Sequence, residues 1–169
     1  MSLRSKSREF AMQMIFQWDS NQQAPAKLEA KFWKSAKAAD TTRAFANRLL
    51  EGTIQELEVL DPLITKHAEN WKFERLSSID RAILRLGVYE LRFCDTPFKV
   101  VMNECVELAK KFSSEDAGGF VNGILDAIHK ESASAAIKAD AAHPTSNVTA
   151  EQPASTQTTP APDDPASRS

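Results

Sequence analysis

Apolar residues recur at intervals of three and four along the first 130 positions, and nowhere do they alternate as in a half-buried strand. The pattern is strongest between Ser77 and Phe93. There Ile79, Ala82, Ile83 and Leu86 line one side of a helix, Leu84, Val88 and Leu91 line another, and Tyr89 and Phe93 widen the apolar surface. A helix that is apolar nearly all round is buried among other helices, so this segment is expected at the centre of the fold. Ser77, with Asp80 three residues on, reads as its N-cap. Arg81, Arg85 and Arg92 fall on one narrow sector, with Glu90 well away from them. An unpaired buried charge is strongly unfavourable, so these residues are expected to pair with neighbouring helices or to reach solvent.

Around this helix the same periodicity predicts the others. A first helix spans about 3–18, with Phe10, Ala11, Met14, Ile15 and Trp18 as its core stripe. A second, Ala- and Lys-rich segment runs from Pro25 to Ala39; it buries Leu28 and Phe32 and offers Lys27, Lys31, Lys34 and Lys37 to water. Asp40 or Thr41 caps the next helix, which carries Phe45, Leu49, Ile54 and Leu57. Asp61-Pro62 reads as N-cap and first-turn proline of a short helix. Thr96 is the expected cap of a helix with Val101, Cys105, Leu108 and Phe112 on its stripe. A last helix carries Phe120, Val121, Ile124 and Ile128; of the nearby Gly118, Gly119 and Gly123, the third is expected to mark a tight helix crossing. The outcome is an all-α bundle of about seven helices.

From Ser132 onward the residues are mostly Ala, Ser, Thr, Pro, Gln and Asp, too poor in large apolar side chains to offset chain entropy. The division expected is a folded domain over 1–131 and a disordered acidic tail over 132–169. Residues 1–130 hold 19 Lys and Arg against 18 Asp and Glu, so no bulk basic surface exists and any nucleic-acid contact must be a local patch. Cys94 and Cys105 stand in no metal-like or redox-like spacing. No stretch has signal-peptide or membrane-spanning character, so a soluble cytoplasmic protein without a membrane partner is expected.

Chemistry of the catalytic kind is not visible. No Gly-rich phosphate loop follows a strand, and His67, His129 and His143 are scattered. Glu104 and Glu107 lie one turn apart but lack the histidine of a bundle metal site, so no metal, cofactor or enzymatic activity is expected.

One arrangement stands apart from the core. Arg4, Arg8, Met12 and Phe16 form an i, i+4 row, with Lys6 on another side of the helix. Arginine on phosphate and an aromatic ring on an unpaired base is how single-stranded RNA is held. By pattern alone, the plainer reading is a solvated helix start with Phe16 in the core.

Three segments in order resemble the bacterial transcription antitermination factor NusB family: Ser7–Trp18, Arg81–Leu91, and Pro97–Phe112 running on to the Phe120-Val-Asn-Gly-Ile-Leu-Asp126 motif. The resemblance covers about 3–130 and is weakest over 22–39. It implies two packed helical subdomains without enzymatic activity. It also implies binding of the boxA element of nascent ribosomal RNA as a heterodimer with the ribosomal protein NusE, alongside other Nus factors and RNA polymerase. Carried over by alignment, the RNA-binding residues are Arg4, Lys6, Arg8, Phe16, Asp116 and Phe120, and the NusE-facing residues are Glu74 and Asp80. Arg85 and Glu90 are left as structural.

This reading makes Arg8→Ala a variant that weakens RNA binding with little loss of stability. The arginine-rich motif is thin here, with Ser5 and Ser7 interleaved. A helical protein-interaction adaptor without RNA affinity is therefore the alternative, and monomer and homodimer both stay open.

Overall fold

The computed structural model describes residues 1–68, 73 and 76–142. Among them are seven helices and no strand: α1 (Leu3–Asn21), α2 (Pro25–Ser35), α3 (Asp40–Gln55), α4 (Leu57–His67), α5 (Ser78–Phe93), α6 (Phe98–Phe112) and α7 (Glu115–Ala142). Helices α1, α2 and α3 pack on one another, α4, α6 and α7 pack round α5, and α1 and α3 rest against α5 from the other side. Two helical subdomains thus share the central helix expected from its pattern.

Local chemistry accounts for several helix ends. Ser2 caps α1 by accepting from Ser5 N–H at 3.0 Å, and Ser77 caps α5 by accepting from Asp80 N–H at 3.0 Å. Helix α1 ends at Gln22, whose left-handed backbone (φ 46°) turns its N–H back onto the Trp18 carbonyl. Pro25 opens α2, where a missing N–H is harmless. Ser114 receives the Ala117 N–H at the start of α7.

The core is aliphatic. Leu49, Leu50, Leu60, Ile64, Ile83, Leu84, Leu86 and Leu125 are sealed from solvent. Each contributes about 1.5–3 kcal/mol relative to an exposed position. Gly87 permits a close helix approach: a β-carbon there would lie 2.8 Å from Cys105 Sγ and 3.0 Å from Leu125 Cδ1. That is the role expected of Gly123, which instead borders open space.

Two polar clamps cross the interior of the α1–α5 seam. At one end Arg8 of α1 meets Glu90 of α5; at the other Asp19 of α1 takes Arg81 at 2.6 Å and Arg85 at 2.9 Å, while Arg85 also takes Asp61 of α4 at 2.8 Å. This pairing is the partner that the arginine sector required.

Four further expectations are corrected, the first being that neither Asp40 nor Thr41 caps α3, which starts at Asp40 with Ala39 at its cap. Helix α4 begins at Leu57, so Asp61 is no cap and Pro62 lies inside the helix. Burying Leu60 with Ile64, one turn apart, needs helix ahead of the proline, and the Asp61 carboxylate is taken by Arg85. Thr96 does not cap α6; its hydroxyl donates to Glu90 at 3.2 Å, and Pro97 stands at the cap. Helix α7 continues past Ser132 to Ala142, with residues 133–142 exposed. Alanine-rich sequence favours helix even without a partner surface.

Candidate nucleic-acid interface

The row Arg4, Arg8, Met12, Phe16 does not stay on one face. Four residues turn an α-helix by about 400°, so each step drifts about 40° and the ends of the row lie about 120° apart. The structure shows the consequence. Arg4 lies over the Phe45 ring at 4.0 Å on the α3 side, Met12 is buried, and Phe16 faces α6.

Arg8, expected at the RNA surface, is only 4% exposed. Its Nε and Nη2 donate to Glu90 at 2.8 Å each, and Glu90 is wholly buried. A guanidinium held this way is not free to meet phosphate in solvent. Burial alone would lower its pKa, but the hydrogen bonds and charge of Glu90 raise it above the ordinary arginine value. Arg8 is a structural residue of the seam.

Phe16 is 38% exposed and, with Gln13, Ile79 and Phe112, lines an apolar notch of about 190 Å³. Beside it Glu9, nearly buried, accepts from Lys6 of α1 and Lys111 of α6 at 2.8 Å each. Burial would raise the Glu9 carboxyl, but hydrogen bonds from Lys111 and Lys6 bring it below the usual range. One carboxylate thereby gathers two half-exposed lysines from different helices and leaves a net positive charge at the surface. Lys110, the next residue on α6, reaches Glu115 at 3.6 Å. Sequence reasoning missed Lys110 and Lys111 as candidates. The signal was there, a lysine pair ahead of Phe112, but only tertiary packing brings it to Lys6.

A second depression, of about 200 Å³, lies at the start of α5 and the α6–α7 corner. Leu76, Ser77, Asp80, Ser114, Asp116, Ala117 and Phe120 line it. It brings together Asp116 and Phe120, expected at the RNA, and Asp80, expected at the protein partner. Phe120 is half-buried and Asp116 exposed. Asp80 Oδ1 is buried and accepts no hydrogen bond among the described residues. Glu74, also expected at the partner, lies outside the described residues. The candidate surface is therefore a strip: lysines round Glu9, then Phe16 and Phe112, then the Asp80–Asp116–Phe120 groove. Arg4 stands off it, round the corner of α1.

Among the described residues no group of three His, Cys, Asp or Glu could hold a metal ion, and no helix is long and apolar enough to cross a membrane. Cys105 is fully buried, which pushes its thiol well above the ordinary value.

Comparison with known proteins agrees with this architecture. A family model described as the NusB family matches residues 5–130. The transcription antitermination protein NusB of a Nitratiruptor species is 40% identical over 131 residues, covering 78% of this chain and 94% of its own. That of Koribacter versatilis is 42% identical over 130 residues, covering 76% and 89%. Among solved structures, a crystal structure of antitermination factors NusB and NusE in complex with double-stranded RNA superposes with a TM-score of 0.69 at 34% identity, covering 78% of this chain and 98% of that one. NusB of T. maritima superposes with a TM-score of 0.68 at 35% identity, covering 76% and 91%. By sequence and by fold, this chain belongs to the NusB family.

Proposed function

We propose that this protein is a transcription antitermination factor. It binds the boxA element of nascent ribosomal RNA together with the ribosomal protein NusE, and helps RNA polymerase, with other Nus factors, to resist termination. Family membership and the NusB–NusE–RNA complex among the similar structures support this reading. The observation that carries it on this chain is the strip itself, in which Lys6 and Lys111, then Phe16, then Asp116 and Phe120 lie in succession. Lysines on phosphate and phenylalanines under bases are what an unpaired RNA needs. The acidic Asp80 in the groove suits a basic protein partner at the far end of the strip. The work is binding rather than catalysis. Residues 1–131 supply it, and 132–169 add acidic charge that either keeps the chain soluble or competes with RNA for the basic patch.

The adaptor reading keeps one observation in its favour. With Arg8 withdrawn into the seam, the N-terminal basic motif is reduced to Arg4 and Lys6. A salt series of boxA-like single-stranded RNA binding, with and without NusE, separates the two. Salt-dependent binding strengthened by the partner is expected. Partner binding without RNA binding at low salt assigns the adaptor role instead.

A further inference from the structure

A cleft of about 540 Å³ opens on the other side of α1, between α1, α3, α5 and the start of α6. It is well separated round the helix from Phe16, and nothing in the strip uses it. Three guanidinium groups collect on the Phe45 ring at its side: Arg4 at 4.0 Å, Arg8 at 5.6 Å and Arg48 at 5.7 Å. Like charges this close repel, and the ring quadrupole offsets only part of that. Glu90 neutralises Arg8. Arg4 and Arg48 are exposed and form no ion pair among the described residues.

The cleft also displays aromatic surface. Phe93 is 46% exposed and stacks on Tyr89 with ring centroids 5.7 Å apart, and Val100 beside it is 41% exposed. Two carboxylates line the walls, Asp95 and Glu104, the latter accepting from Ser5 at 2.7 Å. Carboxylates disfavour a bare phosphate here. They suit the exocyclic amine of a nucleobase, which donates to such acceptors.

We propose that this cleft takes one splayed nucleotide of the single-stranded RNA, its phosphate between Arg4 and Arg48 and its base on Phe93. The inference rests on the RNA-binding reading and extends it to a second contact, round the N-terminal end of α1 from the strip. The cleft volume suits a nucleotide-sized ligand. It assigns Arg48 and Phe93, which the family alignment did not single out, and gives Arg4 a partner in phosphate binding.

The test uses the full chain with its protein partner and a boxA-like RNA carrying 4-thiouridine. Affinity is measured across a salt series for the wild type, Arg48→Ala, Arg48→Lys and Phe93→Ala, with Lys111→Ala as the reference for the strip. Arg48→Ala is expected to flatten the log K against log salt slope by about one unit, and Arg48→Lys to restore it. Phe93→Ala is expected to weaken binding roughly tenfold, as for loss of one stacked base. Ultraviolet crosslinks are expected on the peptide holding Tyr89 and Phe93.

Wild-type binding that Lys111→Ala weakens but Arg48→Ala and Phe93→Ala leave unchanged, without those crosslinks, overturns the proposal and spares the strip. An Arg48→Ala effect confined to the protein partner also overturns it and gives the cleft to an acidic segment. Absence of RNA binding by the wild type removes both readings together.

Discussion

Arg8 of α1 and Glu90 of α5, 82 residues apart in sequence, form a buried two-pronged ion pair at one end of the α1–α5 seam. Its place between the two subdomains makes Arg8 a residue of stability. Removing one partner of a buried pair leaves the other charged and unpaired, which costs about 3–5 kcal/mol. Arg8→Ala is therefore expected to lower the melting temperature by roughly 10 °C for a chain of this size. The double variant Arg8→Met with Glu90→Leu is expected to recover much of that loss. Calorimetry of the three proteins decides it; an unchanged melting temperature for Arg8→Ala would show that the pair is dispensable.

Lys111 offers the opposite profile. Its ion pair with Glu9 is half exposed, and such pairs contribute at most about 1 kcal/mol. Lys111→Ala is expected to leave thermal unfolding nearly unchanged, because Lys6 still satisfies Glu9. RNA affinity should fall, with the salt slope reduced by about one unit. Titration at several salt concentrations reads both numbers at once.

Phe16 and Phe120 are expected to contribute through stacking. Alanine at either position should weaken RNA binding by about 1–3 kcal/mol per base lost, without changing the salt slope, since no charge is removed. A loss that tracks salt would place these rings away from the bases.

Asp19 gives an acid-side prediction. Burial on its own would raise its carboxyl, but hydrogen bonds from Arg81 and Arg85 bring it below the usual range. In acid the unfolded chain then binds the proton that the folded chain refuses. Its contribution is therefore complete above the ordinary aspartate value of about 3.9 and is lost as pH falls through the lower folded value. Thermal unfolding of wild type and Asp19→Asn is expected to differ at pH 6 and to converge in strong acid.

Glu29 acts in the reverse sense. Burial and the facing Glu51 push its carboxyl up to about 7. Here the folded state holds the proton longer, so stability is full below the unfolded value of about 4.3 and declines as pH rises through about 7. Glu29→Gln is expected to flatten that decline and to be more stable than wild type at pH 8. Melting curves from pH 4 to 8 test it.

Periodicity alone was enough to determine that the helices exist, though not all of their ends. It also placed the segment that starts at Ser77 at the centre, with arginines in need of partners. These follow from local rules: a 3.6-residue turn, apolar stripes and side chains that satisfy helix ends. Sequence spacing could not decide which charge meets which. Whether Arg8 serves RNA or Glu90, and whether Asp61 caps a helix or holds Arg85, depends on which helices are neighbours. The drift of an i, i+4 row separated Arg4 from Phe16, although their spacing had linked them. Lys6 and Lys111 became one patch only because α1 and α6 converge on Glu9. Local interactions determine the elements; the charge pairs and the surface are long-range, and only packing decides them.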